Sequence, residues 1–206
     1  MTILTAIQEA CLALALSKPL TALDDDPTAM RLLGFAHEAG DDIAKRGDWR
    51  RMLETTSAAA GPIALPADFE RLVPGGAVNI ILPSPSPVRG PLSSDQMAAI
   101  SSGRFGATAA CYYTMRGSTI VLSRALSGET VSVDWVRRQW ITDDTGTVYR
   151  LRAAADADVL LFPDRLLTKG VIWRFKRETG LQYQDEMAEW EADLAMHLRQ
   201  DRGVTA

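Results

Sequence analysis

The stretch FPDRLLTKGVIWRFKRETGLQYQDEMAEWEADLAMHLRQD, residues 162–201, decides the fold of this chain. It holds two amphipathic helical patterns separated by a break at Thr179-Gly180. In the second pattern Tyr183, Met187, Trp190, Leu194 and Leu198 recur at helical spacing, so one stripe is apolar. The other faces carry Asp185, Glu186, Glu189, Glu191, Asp193 and Arg199. Such a stripe must be buried against another helix, and the expected partner lies at the opposite end of the chain.

At that end, residues 2 or 3 to 16 read as a helix, with Leu4, Ile7, Cys11 and Leu14 on one face. Ser17-Lys18-Pro19 ends it, because proline cannot continue the hydrogen-bond ladder. Asp26-Pro27 is a start signal: aspartate caps the helix and proline fills its first position. The second helix runs to residue 46 with Leu33, Ala36, Gly40 and Ile43 inward, and Gly47 ends it. Gly34 and Gly40 each weaken it by about 1 kcal/mol relative to alanine, and would permit close approach of a neighbouring helix.

From residue 51 the period changes. Strands are expected near 52–58, 77–82, 110–115, 118–122, 129–136 and 148–151. The clearest alternation sets Val131, Val133 and Trp135 against Thr130, Ser132 and Asp134. One helical turn is expected at 67–71, and a short helix from Ser93 or Ser94 to Ile100. Pro83-Ser84-Pro85-Ser86-Pro87 reads as a polyproline-like surface loop. The order predicts an α+β fold: a helical bundle from N- and C-terminal helices, residues 1–50 and 163–202, around a central antiparallel β insertion, residues 51–162. Residues 203–206 form a C-terminal tail.

The 206 residues, 47% hydrophobic and 23% charged, are those of an ordinary soluble globular protein. A net charge of −4 gives no general attraction to nucleic acid. Cys11 and Cys111 lack a CxxC partner or a histidine at metal spacing, so they read as reduced, buried thiols of a reducing cytosolic origin. There is no basic leader, and LALAL at 12–16 is too short to span a membrane. His37 and His197 read as packed or surface imidazoles. No nucleophile elbow, zinc-protease or Walker-type motif occurs, and the helix-borne carboxylates form a solvated band, so no catalytic, cofactor or metal site is expected. Arg174, Lys176 and Arg177 complement the negative end of their helix or contact a partner. Trp49, Trp135, Trp140, Trp173 and Trp190 are core residues by default, and some are suited to a subunit interface. The interface candidates are Trp173, Arg174, Lys176, Arg177, Arg199 and Arg202. Binding or scaffolding is favoured over catalysis.

Several segments are familiar together. They are Ala36-His37-Glu38-Ala39-Gly40 leading to Asp48-Trp49, then Leu65-Pro66-Ala67-Asp68-Phe69-Glu70-Arg71, then Gly90-Pro91-Leu92. Gly128-Glu129-Thr130-Val131 follows, and the last is Gly170-Val171-Ile172-Trp173-Arg174-Phe175-Lys176 with Gly180-Leu181-Gln182-Tyr183. In this order and spacing they resemble the head-to-tail adaptor proteins of tailed bacteriophages. The resemblance implies a structural protein of the virion neck, made in the host cytoplasm. It would assemble with itself as a ring of roughly twelve copies, which requires head-to-tail contacts between unlike surfaces. Its other partners would be the portal protein and a tail-side protein (nozzle, stopper or tail tube). The ring would extend and help seal a DNA channel, with DNA passing through the lumen without specific binding, and no membrane is involved. Residues 199–206 would be a contact arm for the portal, and Asp24, Asp25 and Asp26 would face the lumen. The alternatives are a stopper or tail-completion protein at another neck position, or a virion-associated cell-wall hydrolase using Asp68 or Glu70. The free chain is expected to be a monomer, because no long exposed coiled-coil seam remains once the two N-terminal helices and the last helix pack together.

Overall fold

The computed structural model describes residues 2–23, 25–103 and 110–203, with the side chains of 202 and 203 outside the description. Five helices form: α1 (Ile3–Ala13), α2 (Pro27–Arg46), α3 (Ser94–Ser101), α4 (Asp164–Glu178) and α5 (Gln184–Gly203). The strands are β1 (Leu53–Ala58), β2 (Ile63–Ala64), β3 (Phe69–Leu72), β4 (Val78–Leu82), β5 (Ser86–Pro87) and β6 (Tyr113–Arg116). They continue with β7 (Thr119–Leu122), β8 (Thr130–Arg137), β9 (Ile141–Thr142), β10 (Tyr149–Arg150) and β11 (Val159–Leu160). The protein is mixed α+β with antiparallel sheets. It divides into two compact units, Met1–Met52 with Arg138–Ala206, and Leu53–Arg137.

In the first unit α4 is the central helix, packed against α1, α2 and α5. The Asp26 carboxylate accepts the Thr28 and Ala29 N–H groups at 2.9 and 3.0 Å and starts α2, with Pro27 in its first turn. α1 stops at Ala13, short of the expected residue 16. Ala15 turns left-handed (φ 55°), and the Leu16 N–H returns to the Cys11 carbonyl at 2.9 Å. The helix therefore closes on its own cap before Pro19 is reached.

The α5 stripe is buried at Trp190 and Leu194. Its main partner is α4, the helix just before it, rather than a helix from the other end of the chain. The Trp190 indole N–H donates to the Leu166 carbonyl at 2.9 Å. Lys169 of α4 pairs with Asp193 at 2.6 Å and with Glu189, and Lys176 pairs with Glu186, the pattern of an antiparallel helical hairpin. The end of α2 joins from the side, with Arg46 5.2 Å from the Trp190 ring centroid and 2.6 Å from Glu191. The short connection at Thr179-Gly180 brings α4 back onto α5 at little entropic cost, and so decides which surface takes the stripe first.

Three glycines, Gly40, Gly47 and Gly170, allow close contacts in this unit, Gly47 against Leu198 of α5. At Gly170 an added Cβ would lie 2.8 Å from the Ala39 Cβ of α2 and 3.3 Å from the Trp190 indole nitrogen. At Gly40 it would overlap the Trp140 ring. Gly34 differs: nothing lies within 4 Å of its Cβ position. Trp140 stacks on Phe162 at 5.5 Å and donates to Asp41 at 2.9 Å. A small sheet in the order β10-β9-β11 completes this unit. The buried Asp158 carboxylate accepts the Ala154 and Ala155 N–H groups and pairs with Arg150 at 2.9 Å.

In the second unit β8 is the central strand. β1 pairs along one side, from Leu53↔Val136 to Ala58↔Val131, while β4 and β3 share the other. A second sheet runs β2-β7-β6. Ile63, Val78, Ile80, Ile120, Val131 and Val133 are the centre of its core. The helical turn expected at 67–71 is absent: Phe69–Leu72 is β3, paired to β8 with a register shift between Phe69 and Arg71. Local preference there is weak, and the free edge of β8 decides the conformation. The proline run is mostly loop, but Ser86–Pro87 forms a two-residue edge strand on β4.

Replacing the two α2 glycines separates propensity from packing. Gly34→Ala should raise stability by about 0.5–1 kcal/mol, since it only removes backbone freedom from an exposed helical site. Gly40→Ala should lower it by about 1–3 kcal/mol by pressing on Trp140. Urea unfolding midpoints read both.

Candidate interaction surface

The C-terminal half of α4 gathers most of the sequence-level interface candidates. Trp173 is buried, its ring stacked on Tyr183 (6.5 Å between centroids, 29°) and tilted against Trp190 at 5.9 Å. Arg174 is only 2% exposed. Its guanidinium lies 4.2 Å from the Trp173 centroid and 5.4 Å from that of Trp190. It donates to the Gly170 carbonyl at 3.1 Å, forms an ion pair with Asp42, and lies 3.8 Å from Glu38. Burial draws its pKa down from the usual arginine value, and Asp42 and Glu38 oppose that pull. Trp173 and Arg174 thus meet their partners inside the unit. Lys176 is half-buried and paired with Glu186, which holds that carboxyl below the usual range.

Arg177 and Arg199 are the outward members. Arg177 is exposed, 5.0 Å from the Trp173 centroid, and has no carboxylate partner among the described residues. Arg199 is exposed near the end of α5, its Nε–H donating to the Ala195 carbonyl at 3.1 Å. The Arg202 side chain, Asp24 and residues 204–206 lie outside the described residues. Asp25 and Asp26 are exposed.

A second surface was not read from the sequence. Leu12, Leu20, Leu23 and Met30 are 61%, 92%, 43% and 58% exposed, all around the connection from α1 to α2. A cleft of about 380 Å³ opens among Leu16, Pro19, Leu20, Ala29 and Leu32. LALAL carried little signal for it: of its leucines only Leu12 is exposed, within α1, while Leu14 and Leu16 are half-buried. In the second unit an apolar groove of about 690 Å³ is lined by Phe69, Leu72, Val73, Val88, Tyr113 and Met115. Exposed apolar clusters of this kind mark places where other macromolecules bind.

Reactive groups do not converge. Cys11 and Cys111 are buried and free, and burial raises the Cys11 thiol pKa. No group of three or more His, Cys, Asp or Glu among the described residues could hold a metal ion. No helix among them is long and apolar enough to cross a membrane. Asp68 lies 3.9 Å from Arg137. His37 is packed edge-on to Trp140, and its Nε2 accepts the Ala153 N–H at 3.2 Å. Burial, then the nearby Arg152, pushes its pKa down to about 4, against the opposing pull of Asp41. Arg152 and Asp41 pair at 2.9 Å and hold the strand-to-loop connection against α2.

A mixed α+β chain with exposed apolar clusters and outward arginines offers surfaces for contact with other macromolecules. Residues 1–205 match the SU10 adaptor protein family, and the chain belongs to that family of phage head-to-tail adaptors. The family is structural rather than enzymatic, and its members are components of the virion neck. No curated protein matches the chain.

The environment of His37 carries a pH prediction. Its folded pKa is below the unfolded 6.5, so the unfolded chain takes the proton first. The stability it contributes is complete above pH 6.5 and is lost as pH falls toward about 4. His37→Gln keeps an acceptor for Ala153. It should flatten the dependence of the urea midpoint on pH between about 6.5 and 5, while the wild type becomes less stable over that interval.

Proposed function

We propose that this chain is a ring-forming adaptor between the portal and the tail of a tailed phage. In this reading roughly twelve copies close head to tail into a ring, extend the DNA channel and help seal it with the next tail component. The observation that carries it is the family match over residues 1–205, essentially the whole chain. The arrangement of the helices around α4 supports a rigid ring body made of residues from both ends of the chain. The β-rich part would then face the tail side or the neighbouring copy. The net charge of −4 suits a lumen that lets DNA slide without gripping its phosphates.

Ring contacts need two unlike surfaces on each copy. The exposed leucines between α1 and α2 supply an apolar one. The α4–α5 corner, with Arg177 outward and Leu181 and Met187 exposed, supplies another. Trp173, Arg174 and Lys176 would serve the contact by holding that corner in shape, and Arg199 and Arg202 would serve the end of α5 that continues into the portal-facing arm.

Negative-stain images of the protein mixed with its portal protein test this reading. Rings stacked on the portal are the expected result, and failure to associate under assembly conditions would sink it. Arg177→Glu should weaken ring closure by about tenfold or more and lower stability by only about 1 kcal/mol, through the lost contact with Trp173 and the reversed charge at the end of α4.

A further inference from the structure

In the larger sheet of the second unit the edge at β5 is defended, and the edge at β1 is open among the described residues. At the β5 edge, the Val88 N–H donates to the Val78 carbonyl at 3.0 Å, so the amide of residue 88 faces β4. Strand amides alternate sides, so Ser86 also faces β4, and positions 85 and 87 face outward. Both are proline, and neither has an N–H to offer an added strand.

At the opposite edge lies β1. The Asp134 N–H donates to the Ala77 carbonyl at 2.7 Å and its carbonyl accepts the Val73 N–H at 3.1 Å, so Asp134 faces away from β1. Val131, Val133 and Trp135 therefore face β1, and their partners Ala58, Thr56 and Glu54 spend their backbone groups on β8. The N–H and C=O groups of Leu53, Thr55 and Ser57 point outward, and no hydrogen bond takes them up among the described residues. The strand LETTSA contains no proline, lysine or glycine of the kind that guards an edge. Its one charge, Glu54, is committed to Arg137 at 2.6 Å.

We infer that the open edge of β1 pairs with β1 of a second copy, antiparallel about a two-fold axis at Thr55, in the free protein. The segment is complementary to itself. Thr55 meets Thr55 of the second copy, and Leu53 meets its Ser57, giving about six backbone hydrogen bonds. Glu54 falls opposite Thr56 of the second copy, so no like charges face each other. An edge of six residues with few large apolar side chains buries far less than a stable dimer's roughly 1,200 Å². The pairing is therefore weak and exchanges readily. A two-fold contact also cannot propagate a ring built by one repeated rotation. The pairing thus belongs to the free chain and is independent of whether rings form.

Amide hydrogen exchange of the full chain, in dilute and in concentrated solution, tests this. The amides of Leu53, Thr55 and Ser57 should exchange fast when dilute and become at least about tenfold slower when concentrated. Those of Glu54, Thr56 and Ala58 should be protected at both concentrations. Ser57→Pro removes one outward donor and should abolish the concentration dependence. Thr55→Lys, which keeps every backbone donor but sets two lysines opposite each other at the axis, is read in its place where the proline variant does not fold. Equal exchange of the three outward amides at both concentrations overturns the inference. So does a concentration-dependent protection that the folded variant leaves intact.

Discussion

A guanidinium sealed among three helices is the constraint on which the helical unit turns. Arg174 is 2% exposed, and a buried charge is tolerated only when paired and hydrogen-bonded. Its partners come from different places: Asp42 and Glu38 on α2, the Gly170 carbonyl and Trp173 on α4, Trp190 on α5. All three helices must be in register before the charge is satisfied. Such a group adds little net stability, but it penalises every arrangement that leaves it unpaired. Gly170 makes the arrangement possible, since the Ala39 methyl and the Trp190 indole occupy the space a side chain would take.

The same economy runs through the other charged side chains of the helical unit. Cationic side chains and carboxylates are spent on one another, as in Arg150 with Asp158, Arg152 with Asp41 and Lys169 with Asp193. His37 is kept neutral by its surroundings and used as an acceptor for a loop amide. Among the described residues the surface also carries apolar side chains beside α1 and α2, Arg177 at the α4–α5 corner, and the outer edge of β1. These suit contact with other macromolecules, in keeping with membership of a family of adaptors.

Local signals were read well where the cause was local. Asp26-Pro27 starts α2 because the carboxylate and the ring act within one turn. Ser93 and Gln96 form the capping box of α3 for the same reason. Val131 and Val133 are buried as their alternation implied. Readings failed where distant residues decide. Residues 67–71 joined a sheet because β8 had an edge to fill. The two α2 glycines looked alike, yet Trp140 lies against Gly40 alone. The candidate list at Trp173 and Arg174 named residues whose side chains the fold buries, because helical spacing does not say how many neighbours a face will meet.

Element order, helix caps, the apolar stripe of α5 and the family resemblance were thus determined by the sequence itself, because each depends on residues within a turn or on a pattern along the chain. Only the tertiary structure decided that α5 rests on α4, that Arg174 ties three helices, which leucines stay bare, and which amides of β1 are unspent. Those depend on pairings between residues far apart in the chain, where small differences in packing and hydrogen-bond geometry select one arrangement among many that the pattern allows.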